Sequence, residues 1–147
     1  IKIIYQMTMS LETSHSQSTT IQSKGSDVSA LEESSIERML ELGANPNTIV
    51  AGWTPLTYAT MFGDHKVAIM LLDKGADPNL QSEGILRKIT PLHMAMCGEM
   101  TSLLMERGAD PELRMEYCGS TALLCAIKAG NEEVVTQLLS STQIMSL

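Results

Sequence analysis

The sequence predicts an all-α solenoid, in which short pairs of helices are stacked one on another. The pentapeptides GANPN, GADPN and GADPE begin at residues 43, 75 and 108, which are 32 and 33 residues apart. The hexapeptides TPLTYA, TPLHMA and TALLCA recur in the same order. Each unit has apolar residues at helical spacing but is too short to bury its own apolar face. Copies of the unit must therefore stack.

The most complete unit lies over residues 52–79. Thr54 is expected to cap a first helix, with Pro55 at its first position, where the missing N–H has no partner to lose. A second helix is predicted from about His65. Gly75 is expected to end it in the left-handed conformation that glycine adopts without strain. The predicted unit is thus helix–turn–helix–loop.

This pattern resembles the ankyrin repeat. A period of about 33 residues with a T-P-L-H-x-A signature is typical of that family, and signature, period and glycine positions agree over residues 31–139. The resemblance implies an α-solenoid of ankyrin repeats, whose helix–turn–helix units are joined by β-hairpin or loop fingers. It separates a tail, residues 1–30, from an ankyrin domain, residues 31–147. Within that domain we expect a partial repeat at 31–47 and repeats at about 48–79, 80–112 and 113–147.

The N-terminal tail is rich in Ser, Thr and Gln and is expected to be disordered or weakly ordered. Residues 34–42 are predicted to form the second helix of the partial repeat, because Ile36, Met39 and Leu40 share one helical face. No TPLH-like signature precedes them. The first helix of this repeat is therefore either a divergent capping helix or missing.

The second full repeat departs from the pattern. Its finger is four residues longer than the corresponding stretch of the first repeat, and the helix pair below it is three residues shorter. We expect either a truncated first helix or a late start to the second, which is predicted near residues 100–107.

In the third repeat, Leu123, Ala126 and Ile127 are expected to face the stack. After Leu139 no GAD turn follows, so the stack either ends there or is cut. Exposure of Leu138 and Leu139 would favour a cut.

Composition limits the classes of partner. The formal net charge is −7 and the isoelectric point about 4.8, which argues against nucleic acid or an anionic membrane as the main partner, because both require a basic face. No apolar run is long enough for a transmembrane helix. The three cysteines form no CxxC motif, so reduced thiols and a cytoplasmic or nuclear location are expected. Most of the eleven methionines are expected to fill the core rather than form a methionine surface.

The sequence predicts no catalytic residue, no cofactor and no metal site. His65 lies in the turn between two helices, and the resemblance implies that His93 ties its loop to a neighbour through a Thr hydroxyl and the backbone. His93 and Cys97 are four residues apart and could share a helix face, but two ligands do not make a zinc site. No nucleophile elbow or phosphate-binding loop is present. We therefore expect the chain not to be an enzyme.

The resemblance implies a binding surface made of the finger tips and the exposed side of the first helices. Trp53 and Phe62 are the only Trp and Phe of the chain, and both map to this surface. Aromatic residues concentrate binding energy at interfaces; the alternative for Trp53 is that it packs over the neighbouring finger and stiffens the hairpin. The predicted partner-binding residues are Ile49, Val50, Trp53, Met61, Phe62, Ile85, Arg87, Lys88, Arg114 and Tyr117.

The expected function is protein–protein recognition by a non-catalytic, monomeric module that serves as an adaptor, inhibitor or host-interacting domain. Arg87, Lys88 and Arg114 either form a solvated face or receive an acidic peptide. The alternative function is a structural spacer, or a fragment of a longer ankyrin solenoid whose binding site lies elsewhere.

Overall fold

The computed structural model describes residues 28–83 and 88–145, in which helices are packed in two layers. Its elements are α1 (Val28–Glu41), α2 (Pro55–Met61), α3 (His65–Asp73), a 3-10 helix (Pro91–Met94), α4 (Gly98–Glu106), α5 (Ala122–Ala129) and α6 (Glu132–Met145). The first layer consists of α2, the 3-10 helix and α5, side by side. In the second layer α1 contacts α3, and α4 contacts α6. The predicted all-α repeat solenoid is confirmed.

The helix ends of the first full repeat follow the local signals in the sequence. The backbone N–H of Thr57 donates to Thr54 Oγ1 at 3.1 Å, and Pro55 is the first helical residue. Asp64 caps α3 by accepting from Val67 N at 3.2 Å. Gly75 adopts a φ of 92° directly after α3. The predicted cap, the start at His65 and the left-handed glycine are thus all present.

The N-terminal helix is longer than the sequence suggested. It begins at Val28, six residues before the predicted start at Ser34. The added segment contains neither Gly nor Pro, so nothing in it interrupts helical hydrogen bonding. A separate first helix of the partial repeat does not occur between residues 28 and 41. The remainder of the predicted tail lies outside the described residues.

The core lies between the two layers and consists mainly of Leu, Val and Ala side chains. Leu56, Leu71, Leu92 and Leu104 are at most 2% exposed, and burying each contributes about 1.5–3 kcal/mol. Alanines at Ala59, Ala68 and Ala126 are buried between them and let the helices approach closely. No aromatic ring belongs to this core cluster in the described residues.

One prediction about the last repeat is wrong. Ile127 is 55% exposed rather than facing the stack, because Ala122 and Ala126, one turn apart, define the buried face of α5. Leu138 is only 1% exposed, because α6 packs against both α4 and α5. Leu139 is half exposed.

The first helix of the second full repeat is truncated, as one of the two alternatives predicted. It is a single four-residue 3-10 turn, after which Ala95 is extended, with φ −66° and ψ 123°. The next repeat supplies partners for two backbone groups beside the shortened helix. Asn131 Nδ2 donates to Met96 O at 2.7 Å, and Gly98 N donates to Glu133 Oε1 at 3.0 Å.

Asparagine side chains join successive loops. Asn79 Nδ2 donates to Gly108 O at 2.9 Å, and its Oδ1 accepts from Asp110 N at 2.7 Å. Asn47 makes the same pair of bonds to Gly75 O and Asp77 N one repeat earlier. Each asparagine therefore uses its donor and its acceptor to fix the next loop.

We predict that Asn79→Ala lowers the free energy of unfolding by about 1–3 kcal/mol, since two side-chain hydrogen bonds at about 0.5–1.5 kcal/mol each are lost. Urea unfolding followed by circular dichroism measures the change. Glu112→Ala is the matched control, because Glu112 occupies the same loop position in the following repeat. It should change stability by less than about 0.5 kcal/mol. Equal losses in both variants would contradict the proposed role of Asn79.

Candidate partner-binding surface

The first finger, residues 48–53, is a tight hairpin that fixes the position of Trp53. Val50 N donates to Trp53 O at 3.0 Å, and Trp53 N donates to Val50 O at 3.1 Å. Ala51 and Gly52, between them, have φ values of 52° and 85°. Positive φ at both central residues defines the turn that suits the twist of a two-residue hairpin.

Trp53 belongs to a row of three aromatic rings, Trp53, Tyr58 and Phe62, which we call the aromatic row. The Trp53 and Tyr58 ring centroids are 6.1 Å apart with planes tilted by 53°, and the Tyr58 and Phe62 rings are stacked at 6.3 Å with 2° between planes. Such distances lie within the range of attractive ring pairs. Phe62 is 69% exposed at the end of α2, while Trp53 and Tyr58 are half-buried.

Tyr58 was not among the residues predicted from the sequence. It joins Trp53 on the finger to Phe62 at the end of the helix, so the three side chains form one surface. The spacing of four residues between Tyr58 and Phe62 places them on one helical face. That spacing was visible in the sequence and could have identified Tyr58.

The remaining predicted residues are spread over three fingers and one helix end. Ile49 and Val50 are half-buried on the first finger, and Met61 is half-buried as the last residue of α2. Lys88 is exposed on the second finger, residues 80–89, with a φ of 60°. Ile85 and Arg87 lie outside the described residues.

The third finger, residues 113–120, presents Arg114 and Tyr117. Tyr117 is 90% exposed. The Arg114 guanidinium is exposed but is also engaged, because its Nη1 donates to Gly119 O at 3.1 Å. Arg114 therefore also braces its own finger.

His93 anchors the third finger to the preceding repeat. Its Nδ1 lies 2.8 Å from Thr90 Oγ1 and accepts from Thr90 N at 3.2 Å, while its Nε2 lies 3.1 Å from Ser120 O. An amide can only donate, so Nδ1 must be unprotonated and Nε2 must carry the proton. This is the loop-tying role that the resemblance implied for His93.

The surroundings of His93 favour its neutral form. Burial lowers the pKa of His93 below the usual 6.5, and hydrogen bonds to the backbone of Ser120 and Leu113 partly oppose that effect. Protonation of Nδ1 would also break its bond from Thr90 N. The imidazole therefore holds the third finger as a neutral side chain.

His65 has a second, separate environment. Its Nδ1 lies 2.9 Å from Gly63 O, and its Nε2 lies 3.6 Å from Cys97 Sγ and 3.7 Å from Glu99 Oε2. The 3-10 helix ends at Met94, before Cys97, so His93 and Cys97 do not share a helix face. Within residues 28–83 and 88–145, no three His, Cys, Asp or Glu side chains converge to hold a metal ion.

Two thiols lie at the base of the third finger. Hydrogen bonding to the Ser120 side chain and backbone, together with the Lys128 charge, lowers the pKa of the exposed Cys118 thiol. Burial raises the pKa of the half-buried Cys125 thiol, and the nearby Cys118 adds to the rise. The two thiols are thus close neighbours with opposite shifts.

Comparison with known proteins confirms the repeat family. A model described as "Ankyrin repeat" matches residues 51–83, and one described as "Ankyrin repeats (3 copies)" matches residues 81–146. The chain therefore belongs to the ankyrin-repeat family.

The relatives are larger proteins. The chain is 41% identical over 88 residues to the E3 ubiquitin-protein ligase XBAT33 of Arabidopsis thaliana, which covers 57% of this chain and 17% of the relative. It is 29% identical over 110 residues to the ankyrin repeat, SAM and basic leucine zipper domain-containing protein 1 of Dasypus novemcinctus, a match that covers 71% of this chain and 23% of the relative. It is 34% identical over 111 residues to neurogenic locus notch homolog protein 4 of Homo sapiens, a match that covers 71% of this chain and 5% of the relative. The chain thus spans less than a quarter of each of these relatives.

In the described part of the chain, no helix has the length and apolar character needed to cross a bilayer.

We predict that stability decreases as the pH falls below about 6.5. The unfolded chain binds a proton at His93 with the ordinary pKa of 6.5, whereas burial lowers that pKa in the folded chain. Between the two values the unfolded state binds more protons, so stability rises with pH there and is complete above the window. Urea unfolding at a series of pH values measures the stability, and NMR titration of the imidazoles measures the pKa of His93 in the folded chain.

His93→Gln should reduce the slope of stability against pH in this window, and His65→Gln should keep it. A measured His93 pKa at or above 6.5 would contradict the prediction.

Proposed function

We propose that this domain is a non-catalytic recognition module that binds a partner protein through the concave surface formed by the fingers and first helices. The observation that supports this most directly is the aromatic row. Ankyrin repeats generally serve as interaction modules, and this row places the only Trp and the only Phe of the chain side by side with Tyr58.

The exposure of Phe62 is the energetic argument for a partner. A phenylalanine contributes about 1.5–3 kcal/mol when it is fully buried, yet Phe62 is 69% exposed and lies outside the core cluster. The Phe62 ring stacks on the Tyr58 ring, so the two rings offer one continuous apolar surface. Ordered, exposed aromatic residues of this kind are typical of interface hot spots.

The proposed surface extends from the aromatic row to the other fingers. Tyr117 and Arg114 supply a second aromatic and a basic group on the third finger, and Lys88 adds a cation on the second. These cations suit an acidic segment of the partner. The proposed binding residues are Ile49, Val50, Trp53, Met61, Phe62, Ile85, Arg87, Lys88, Arg114 and Tyr117, together with Tyr58.

The same proposal includes a monomer in the cytoplasm or nucleus and no binding of nucleic acid. The net charge of −7 supports the last point, because phosphate backbones require a basic face. We do not propose ubiquitin ligation for this chain, since the match covers only 17% of XBAT33.

The alternative is that these repeats are a spacer, or part of a longer solenoid whose binding surface lies elsewhere. The comparison with relatives supports this alternative, because the parts of the relatives that match this chain amount to only 5–23% of their lengths. In that case the aromatic row would contact no partner.

Site-specific photo-crosslinking distinguishes the two. A photoreactive amino acid is placed at residue 62, or at residue 42 as a matched control, because Leu42 is 68% exposed and follows a helix of the other layer. We predict discrete crosslinks to one partner from residue 62 and none from residue 42. With the purified partner, Phe62→Ala should weaken binding at least about tenfold, as loss of a hot spot of more than 1 kcal/mol requires.

Leu42→Ala should leave affinity unchanged, and both variants should keep the wild-type melting temperature. Crosslinking from residue 42 alone, or equal affinity of the Phe62 variant and the wild type, would overturn the proposal and favour the spacer.

A further inference from the structure

Three sulfur atoms meet where the third finger packs on α5. Cys125 Sγ lies 3.5 Å from Met115 Sδ, and Cys118 Sγ lies 4.0 Å from the same Met115 Sδ. We call Met115, Cys118 and Cys125 the sulfur cluster. It is separate from the aromatic row and belongs to a different repeat.

Backbone hydrogen bonds hold the three residues in place. Met115 N donates to Ser120 O at 3.0 Å, and Gly119 N donates to Met115 O at 2.9 Å, which folds Cys118 back toward Met115. Gly119 makes this possible with a φ of 63°. Cys125 lies in the first turn of α5, where Cys125 N donates to Thr121 O at 3.0 Å. The three sulfur-bearing residues are thus positioned by a closed finger and a helix.

We propose that the sulfur cluster is a binding site for a soft monovalent metal ion, cuprous copper, held by two thiolates and one thioether. Thiolate and thioether ligands together favour Cu(I) over harder cations. Metal–sulfur bonds of about 2.3 Å in a trigonal plane separate the sulfurs by about 4 Å. The two separations from Met115 Sδ to the thiol sulfurs, 3.5 and 4.0 Å, are close to this value.

The charges of the site also suit a monovalent ion. Two thiolates and one Cu(I) leave a single negative charge, since the thioether is neutral. Lys128 Nζ donates to Ser120 Oγ at 3.1 Å, and the same oxygen lies 3.1 Å from Cys118 Sγ. The ammonium group therefore lies close enough to balance that charge.

The cluster is open to an incoming ion on one side. Cys118 is exposed, and Met115 and Cys125 are half-buried. Binding displaces the two thiol protons to solvent and forms two metal–thiolate bonds and one metal–thioether bond, with no change in oxidation state. Zinc is a poorer match, because its structural sites use four Cys or His ligands and no third residue of the types His, Cys, Asp or Glu joins the two thiols in the described residues.

The test is an anaerobic titration of the reduced full chain with Cu(I), in competition with a chromophoric Cu(I) chelator. We expect one equivalent to be bound. Changing a residue that only supports the ligands of a metal costs about 10–100-fold in affinity, and losing a ligand should cost at least as much. Each of the variants Cys118→Ser, Cys125→Ser and Met115→Leu should therefore weaken binding at least about tenfold. Cys97→Ser is the matched control and should bind as the wild type does, because Cys97 lies next to His65 and outside the cluster.

A second readout does not depend on any variant folding. The chain has eleven methionines, and with methyl-labelled methionine only the Met115 methyl resonance should shift strongly when Ag(I), a redox-inert substitute for Cu(I), is added. The proposal is overturned if Met115 does not shift, if Cys97→Ser weakens binding as much as the cluster variants do, or if Zn(II) displaces Cu(I) at equal concentration.

Discussion

The structure depends on one constraint: each repeat leaves backbone groups and an apolar face that only the next repeat can complete. Asn47 and Asn79 use both ends of their amides to hold the following loop. His93 reaches Ser120 O across the same kind of boundary. The asparagine bonds fix the loops that precede the second and third fingers, and the His93 bond holds the third finger itself. Most of the candidate binding residues lie on the fingers, so their arrangement is a property of the stack and not of any single repeat.

The shortened second repeat shows how strictly this constraint applies. Met96 O and Gly98 N lie beside the shortened helix, and the third repeat supplies Asn131 and Glu133 as their partners. Gly98 is also where a Cβ would come within 2.8 Å of Glu133 Oε1. The deletion is therefore tolerated through contacts from the neighbouring repeat, and α4 still packs on α6 in the second layer.

The first two full repeats hold the finger that follows them in different ways. Thr57 takes the place that His93 has in the next repeat, and its hydroxyl pairs with Thr54 at 2.8 Å inside the cap of its own helix. The second finger is joined to the first instead by Glu83 N, which donates to Gly52 O at 3.2 Å. The aromatic row and the sulfur cluster occupy two different parts of this finger surface, one rich in rings and one in sulfur.

The sequence by itself determined the repeat period, the cap at Thr54 with Pro55 after it and the glycine at the end of α3, because these depend on local backbone chemistry. It located a shortening of the second repeat but left open which of its two helices is shortened. It also indicated Trp53 and Phe62 through their rarity. It did not show that Tyr58 lies between them, that Leu138 is buried or that Ile127 is exposed. Nor did it show that Cys118 and Cys125 meet at Met115. Those outcomes depend on how a finger and a helix, or two neighbouring repeats, are placed against each other. Only the tertiary structure decides that placement, since it follows from packing between segments that are distant in the sequence.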